Sequence, residues 1–273
     1  MLIDTHVHIG GEAVGFEMTE EKVIEAVKKY GIDHIVLSNA DSGELDHSQK
    51  VLPEKYLFSQ EDSLKRAIEM ARKYPGLITL AAWIRPYLQQ PTEEFEQLIK
   101  DNLDIIKGIK MHPYHSKTAP DDERALSYIE LANKYNLVVI SHTDDKGEGS
   151  PEHLYNAAKM FPNIPFVMVH MGLGSDNRLA LDLLGKADNL YGDTTWVPMK
   201  TTIEAIKRYG NSRIMFGSDL PIDGVDTYLC NPKGERSLYQ DYFHVLPDLI
   251  SKEDYEAIMY RNAMRLFRIK DFT

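Results

Sequence analysis

The chain alternates between short strand-like runs and longer segments of helical periodicity, and this alternation restricts its possible folds more than any other feature. Eight runs are nearly continuous in apolar and β-branched residues, which is typical of strands covered on both faces of a parallel sheet. We therefore predict strands over residues 2–9, 34–39, 77–84, 105–112, 137–143, 165–171, 189–196 and 213–219.

Helix signals lie between the predicted strands. Thr19 precedes two glutamates and can cap a first helix, which Gly31 would end. A second helix is predicted from about residue 62 to the KYPG sequence, and a third over about residues 120–136. Similar segments follow the fifth, sixth and seventh strands.

Strands and helices that alternate in this way over roughly 250 residues favour an α/β fold of the (β/α)8, or TIM barrel, type. A doubly wound open sheet is the alternative, but it would need a Gly-rich first turn, and the first turn here is rich in histidine. We predict a single domain over residues 1–273. Two long connections, residues 40–61 and 220–250, follow strand carboxyl ends and are candidate substrate loops or lids.

Composition argues against several classes of partner. The formal net charge is -11 and the acidic residues are spread along the chain, so a nucleic acid partner is not expected. The single cysteine, Cys230, excludes an intrachain disulfide and a thiolate zinc cluster. The sequence shows no secretory leader pattern and no run near the ~20 apolar residues of a membrane span. We expect a cytoplasmic protein with no membrane partner.

Polar residues of unusual type occur where the predicted strands end. His6 and His8 lie two apart on the first strand, so both imidazoles point to one face and can share a metal ion. Any one of these residues alone is more often a hydrogen-bonded structural residue. In a closed barrel, however, the strand ends converge on one mouth, and the whole set predicts a metal site there. The set is His6, His8, Lys110, His112, His142, His170 and Asp219.

Imidazoles and a carboxylate suit a divalent ion such as zinc, with a coordination position left open for water or substrate. The ion would lower the pKa of its water from ~16 to ~7, and a nearby carboxylate or imidazole could move the proton. Asp4 shares the face of His6 and His8. A buried carboxylate there needs a partner, and two interpretations are open: an imidazole proton or a basic side chain, or a structural hydrogen bond at the N-terminus.

Six segments together resemble the amidohydrolase-related branch of the amidohydrolase superfamily, in the same order and over nearly the whole chain. They are IDTHVH, GIKMHP, ISHTDD, VMVHMG, FGSDLP and RNAMRLF. The resemblance implies a metal-dependent barrel enzyme with His6, His8, His142 and Asp219 as ligands. It further implies that Asp219 orients or deprotonates the metal-bound water, and that His170 is a catalytic base, a polarising group or an additional ligand.

Lys110 leaves the number of ions open. Binuclear members of the superfamily carry a carboxylated lysine or a glutamate on strand four as a bridge between two metals. Many mononuclear relatives have a lysine in a similar segment without a bridge, where it contacts an anionic substrate group. We expect one ion per chain, zinc in the first instance, with a second ion on a carboxylated Lys110 as the alternative. A salt bridge from Lys110 to Asp4 or Asp219 is the structural interpretation.

Arg85, His112, His115 and Lys110 are candidate substrate-binding residues, and Trp196 is a candidate apolar wall. Our first hypothesis is a hydrolase that uses metal-activated water to cleave an ester, lactone or amide bond in a small anionic substrate. The second is a nonoxidative decarboxylase of an unsaturated or aromatic acid, because this branch resembles such enzymes. The third is a metal-binding protein without catalysis. Oligomeric state stays open, a homo-oligomer included.

Overall fold

The computed structural model describes residues 1–222 and 238–270, and in this part of the chain eight parallel strands form one sheet in chain order. The predicted (β/α)8 architecture is confirmed. The strands are β1 (Ile3–Ile9), β2 (His34–Asn39), β3 (Ile78–Trp83), β4 (Ile106–Met111), β5 (Val138–Asp144), β6 (Phe166–Leu173), β7 (Leu190–Asp193) and β8 (Ile214–Met215). The first six agree closely with prediction, whereas β7 and β8 end several residues earlier because their polar ends leave the regular ladder.

Hydrogen bonds close the sheet between its first and last strands. The amide of Thr5 donates to the carbonyl of Phe216 at 3.0 Å, and the amide of His8 donates to the carbonyl of Leu220 at 2.8 Å. The amide of Asp219 donates in return to the carbonyl of His6 at 2.9 Å. These bonds bring the two ends of the sequence together and place Asp219 directly beside the histidines of β1.

The described helices lie between successive strands and after β8. Thr19 caps α1 and Gly31 ends it at φ 63°, as predicted. The second and third predicted helices are α2 and α5. The latter begins at Glu123 rather than at about residue 120, because the side chain of Asp122 accepts the Arg124 amide and caps the helix there. The helices are α1 (Glu20–Tyr30), α2 (Gln60–Lys73), α3 (Glu93–Asp101), α4 (Pro113–Ser116), α5 (Glu123–Lys134), α6 (Pro151–Met160), α7 (Arg178–Leu184), α8 (Met199–Tyr209), α9 (Leu238–His244), α10 (Lys252–Glu256) and α11 (Asn262–Phe267).

Apolar side chains form two main layers. The larger core lies between the sheet and the surrounding helices. A smaller core fills the barrel interior with residues of the strands, including Val138, Ile140, Val167 and Val169, and is covered by Phe267 of α11. Side chains further along the same inward faces are polar, so the interior changes from apolar to polar toward the carboxyl ends. Among the described residues, no helix is long and apolar enough to cross a membrane.

The connection after β2, predicted as a candidate loop or lid, packs against α4. The carbonyl of His115 accepts the amides of Glu44 and Leu45, and its Nδ1 contacts the carbonyl of Leu45 at 2.7 Å. The side chain of Gln49 donates to the carbonyl of Tyr114 at 2.8 Å. These contacts make the connection a fixed wall of the barrel mouth. Residues 223–237 of the later connection, with Cys230, lie outside the described residues.

Candidate active site

A cavity of about 300 Å³ opens at the carboxyl ends of the strands. Most of the site residues predicted from sequence line it. Its described wall consists of His6, His8, Val14, Phe16, Met18, Ala40, Gly43, His47, Trp83, His112, Tyr114, His115, His142, Asp144, His170, Leu173, Trp196, Asp219 and Ile222. This described wall contains no lysine or arginine, so it presents imidazoles, carboxylates and apolar surface to a ligand.

Two histidines and one aspartate bring their donor atoms together inside the cavity. Nε2 of His6 and Nε2 of His8 are 2.7 Å apart. Oδ1 of Asp219 lies 3.6 Å from Nε2 of His6 and 3.2 Å from Nε2 of His8. All three donor atoms are within 4.8 Å of one another. The structure therefore joins three of the four ligands that the sequence suggested.

The protonation of these histidines suits a metal ligand. Nδ1 of His8 contacts Oγ of Ser38 at 2.9 Å, which leaves Nε2 for the cluster. Burial lowers the pKa of His8, and burial together with the nearby Lys110 lowers the pKa of His6 well below its ordinary value. Neutral imidazole nitrogens and a carboxylate oxygen that converge on one point are the donor set of zinc and similar divalent ions. The residues present therefore fit such an ion.

His142, the fourth suggested ligand, lies beside this cluster. Its Nε2 contacts Oδ1 of Asp144 at 2.8 Å, and its ring stacks on His112 with centroids 3.9 Å apart. The ring of His170 lies edge-on to it at 4.6 Å. Because Asp144 occupies Nε2, only Nδ1 of His142 is left to serve as a ligand atom. The pairing with Asp144 was not anticipated from sequence, although the two residues are two apart on one strand.

An irregular backbone turns His170 into the cavity. Val167 and Val169 face the barrel interior, so regular alternation would point residue 170 outward. Instead φ is 66° at His170 and 49° at Met171, a conformation that costs non-glycine residues roughly 1–2 kcal/mol each. Met171 consequently packs in the outer core while His170 lines the cavity. Nδ1 of His170 lies 3.2 Å from the carbonyl of Thr195, which leaves Nε2 as the proton-accepting atom.

Asp193, the last residue of β7, is a site residue that the sequence analysis missed. It is only 1% exposed, and burial raises its pKa to about 7. Its carboxylate lies 3.4 Å from Nδ1 of His6 and accepts the amide of His170 at 3.0 Å. The signal for it was an acidic residue near the carboxyl end of the seventh predicted strand. The site residues predicted on the other strands also lie near strand carboxyl ends.

Lys110 and Asp4 lie buried below the cavity wall. Nζ of Lys110 is 3.3 Å from Nε2 of His6, and burial lowers the pKa of Lys110 to about 8. Of the two interpretations of Asp4, the structure agrees with the structural hydrogen bond. The Asp4 carboxylate accepts the hydroxyl and the amide of Ser218 and the amide of His6, while burial raises its pKa to about 7. Asp4 therefore ties β1 to the segment that carries Asp219.

The predicted substrate-binding residues divide into two groups. His112 and His115 line the cavity, and burial lowers the pKa of His112 well below its ordinary value and that of His115 to about 4. Arg85 is not part of the described cavity wall. Its guanidinium donates to the carbonyl of Phe58 and, at 3.0 Å, to Oε1 of Gln89. Arg85 follows β3, and its guanidinium joins the loop segments of Phe58 and Gln89.

Trp196 lies where the sequence suggested an apolar wall, and it also makes a polar contact. Its φ is 58°, and its indole Nε1 donates to Oδ2 of Asp219 at 3.2 Å. This bond engages the oxygen of Asp219 that does not face His6 and His8. The aromatic wall continues with Trp83, whose ring stacks on His112 with centroids 5.7 Å apart.

Comparisons with known proteins agree with this geometry. Residues 3–269 match the family model described as "Amidohydrolase". No curated protein matches the sequence.

Three of the solved structures that share the fold illustrate the range of proteins to which this chain is similar. One, a probable 2-pyrone-4,6-dicarboxylic acid hydrolase from Acinetobacter baumannii with citric acid bound, is 14% identical, with a TM-score of 0.64 over 98% of this chain and 99% of that chain. A dihydroxybenzoic acid decarboxylase from Polaromonas with bound manganese and an inhibitor is 16% identical, with a TM-score of 0.69 over 98% and 96%. A 5-carboxyvanillate decarboxylase from Sphingomonas paucimobilis is 13% identical, with a TM-score of 0.68 over 98% and 99%.

Proposed function

We propose, since this chain belongs to the amidohydrolase family, that it is a metal-dependent hydrolase which cleaves an ester, lactone or amide bond in a small molecule. The observation that carries the proposal is the convergence of His6, His8 and Asp219 within 4.8 Å at the mouth of the barrel. The neutral imidazole of His170 lies beside this group, with ring centroids 5.4 Å from His6. Metal ligands and a proton acceptor thus adjoin in one cavity.

We assign one divalent ion per chain to His6, His8 and Asp219, with His142 completing the set through Nδ1. When bound, the ion would supply Lewis-acid polarisation of a substrate oxygen and would acidify water at an open position. Zinc suits this donor set, and manganese is the ion named for one of the similar structures. Lys110 makes its contact with a single ligand, His6, and we propose no bridging role for it.

The proton-handling groups follow from the hydrogen bonds. Oδ1 of Asp219 is directed at the cluster and is its ligand atom, whereas Oδ2 accepts the Trp196 indole and keeps a second lone pair that can take a proton from water. Because Nδ1 of His170 donates to the Thr195 carbonyl, its Nε2 can accept a proton or donate one to a leaving group. The Trp196 indole holds the Asp219 carboxylate and the Thr195 carbonyl holds the His170 ring, so neither group has to reorganise during the reaction.

Nonoxidative decarboxylation is the second candidate. The aromatic rings of Trp83, His112 and Trp196 line the cavity and offer flat apolar surface to a planar substrate. Two of the similar structures are named as decarboxylases of aromatic acids. The same His170 Nε2, once it has accepted a proton from water, would pass that proton to the ring carbon that loses carbon dioxide.

The two candidate reactions release different products, so assays on one panel of substrates can separate them. We would incubate the metal-loaded protein with lactones, aryl esters and carboxylated aromatics while measuring acid release and carbon dioxide release. His6→Ala tests dependence on the cluster, and His34→Ala is a matched control because His34 is also a buried strand histidine, bonded to Gly76 and Thr79. Acid release by the wild type and His34→Ala, but not His6→Ala, supports the hydrolase. Carbon dioxide release would instead support the decarboxylase. If neither acid nor carbon dioxide is released, a metal-binding protein without catalysis is favoured.

A further inference from the structure

Asp193 connects two histidines of the proposed site through different oxygens. Its Oδ1 accepts the amide of His170 at 3.0 Å and the amide of Thr195 at 3.2 Å. Its Oδ2 accepts the hydroxyl of Thr195 at 2.7 Å and lies 3.4 Å from Nδ1 of His6. One buried carboxylate therefore faces both the inner edge of His6 and the left-handed backbone of His170.

The inner nitrogen of His6 has no other partner among the described residues. Nδ1 of His6 is buried and makes no hydrogen bond, while Nε2 faces His8 and Asp219. A neutral imidazole carries one proton, and a metal binds only the nitrogen without it. Which tautomer His6 adopts therefore decides whether Nε2 can be a ligand atom.

We propose that Asp193 is a positioning residue that holds His6 in its Nδ1–H tautomer, directing the Nε2 lone pair to the metal site, and fixes the backbone of His170. The inference rests on the proposed metal-dependent function. The Asp193 carboxylate favours a proton on the nitrogen that faces it, because only an N–H can donate to Oδ2. The bond from Oδ1 to the His170 amide stabilises the strained conformation that turns that imidazole inward.

The side chains around this contact leave room only for glycine at position 217. A Cβ on Gly217 would lie 2.7 Å from Oγ1 of Thr195, 3.0 Å from Oδ2 of Asp193 and 3.2 Å from Cβ of His6. All three atoms belong to residues that form or adjoin the contact between Asp193 and His6. The segment between β8 and Asp219 thus packs directly against the carboxylate, which confines it to a position beside His6.

Asp193→Asn tests the inference with little change of shape. The amide oxygen can keep the bonds of Oδ1, whereas the amide nitrogen at the position of Oδ2 can only donate, which favours the Nε2–H tautomer of His6. Thr195→Val is the matched control, because it removes a hydrogen bond to the same carboxylate but not the contact with His6. We would measure the dissociation constant for Zn²⁺ by competition with a chelator, and the visible spectrum of the Co²⁺-loaded protein.

Asp193→Asn is expected to raise the dissociation constant about 10–100-fold and to alter the Co²⁺ spectrum, whereas Thr195→Val changes the constant about 3-fold at most. An unchanged constant and spectrum in Asp193→Asn would overturn the inference. A wild type that binds neither ion would instead overturn the proposed function. If Asp193→Asn does not fold, nitrogen NMR of the metal-free wild type decides directly: Nδ1–H on His6 supports the role of Asp193, and Nε2–H contradicts it.

Discussion

Replacing Gly217 by alanine inserts one methyl group into the contact between Asp193, Thr195 and His6. φ at Gly217 lies outside the left-handed region, so any cost comes from contacts rather than from backbone strain. The new Cβ would lie 2.7 Å from one oxygen and 3.0 Å from another, both buried and hydrogen-bonded. Such overpacking costs about 1–3 kcal/mol, which corresponds to a drop of roughly 2–10 °C in Tm for a chain of this size.

The assay combines thermal unfolding with Zn²⁺ titration, and Gly108→Ala is the control. A Cβ on Gly108 would lie 2.9 Å from the Val138 carbonyl, so this variant is also overpacked but does not touch Asp193 or His6. Both variants are expected to lose stability, while only Gly217→Ala loses affinity for Zn²⁺, by about 10-fold or more. Equal affinities in Gly217→Ala and the wild type would refute the role given to this contact.

Three further predictions concern a residue proposed for proton transfer, a buried carboxyl group and an arginine that holds loops together. His170→Asn should lower kcat by about 10²–10⁴ with bound metal retained, as steady-state kinetics and elemental analysis would show, and unchanged turnover would contradict the assignment. Burial raises the pKa of Glu44 from 4.5 to about 7, so its ionisation lowers stability as pH rises through that interval. Gln can accept only one of the Tyr87 and Leu88 amides that the carboxylate accepts, so the test is the difference between two pH values. The effect of Glu44→Gln on the free energy of unfolding in urea should be more favourable at pH 8 than at pH 4 by up to about 3 kcal/mol, and equal effects at both would exclude this origin. Arg85→Met should lower Tm without changing KM, because the guanidinium bonds to Phe58 and not to the cavity, and a raised KM would restore a substrate role.

The barrel and part of its site could be predicted because they depend on periodicity. Apolar runs identify strands, and a parallel barrel collects strand carboxyl ends at one mouth, so His6, His8 and Asp219 could be grouped despite their separation in sequence. The same rule applied to β7 would have included Asp193. It was missed because the seventh strand was predicted to run to residue 196, which placed Asp193 inside the strand rather than at its end.

Other features depend on local geometry that periodicity does not contain. His170 reaches the cavity only because its backbone is left-handed, whereas regular alternation would point it outward. Arg85 follows the third strand closely, but its long side chain bends to a loop carbonyl. Asp4 pairs with Ser218, from the other end of the chain, because β1 and the segment after β8 are joined. Each outcome requires the positions of neighbouring elements, which a single sequence does not specify.

Metal content tests the proposed site most directly. We would saturate the wild type, His6→Ala and His34→Ala with Zn²⁺, remove loosely bound ions by dialysis and count the ions by elemental analysis. The proposal predicts about one ion per chain in the wild type and in His34→Ala, and almost none in His6→Ala. Equal metal content in His6→Ala and the wild type, or no ion in any of the three, would contradict it.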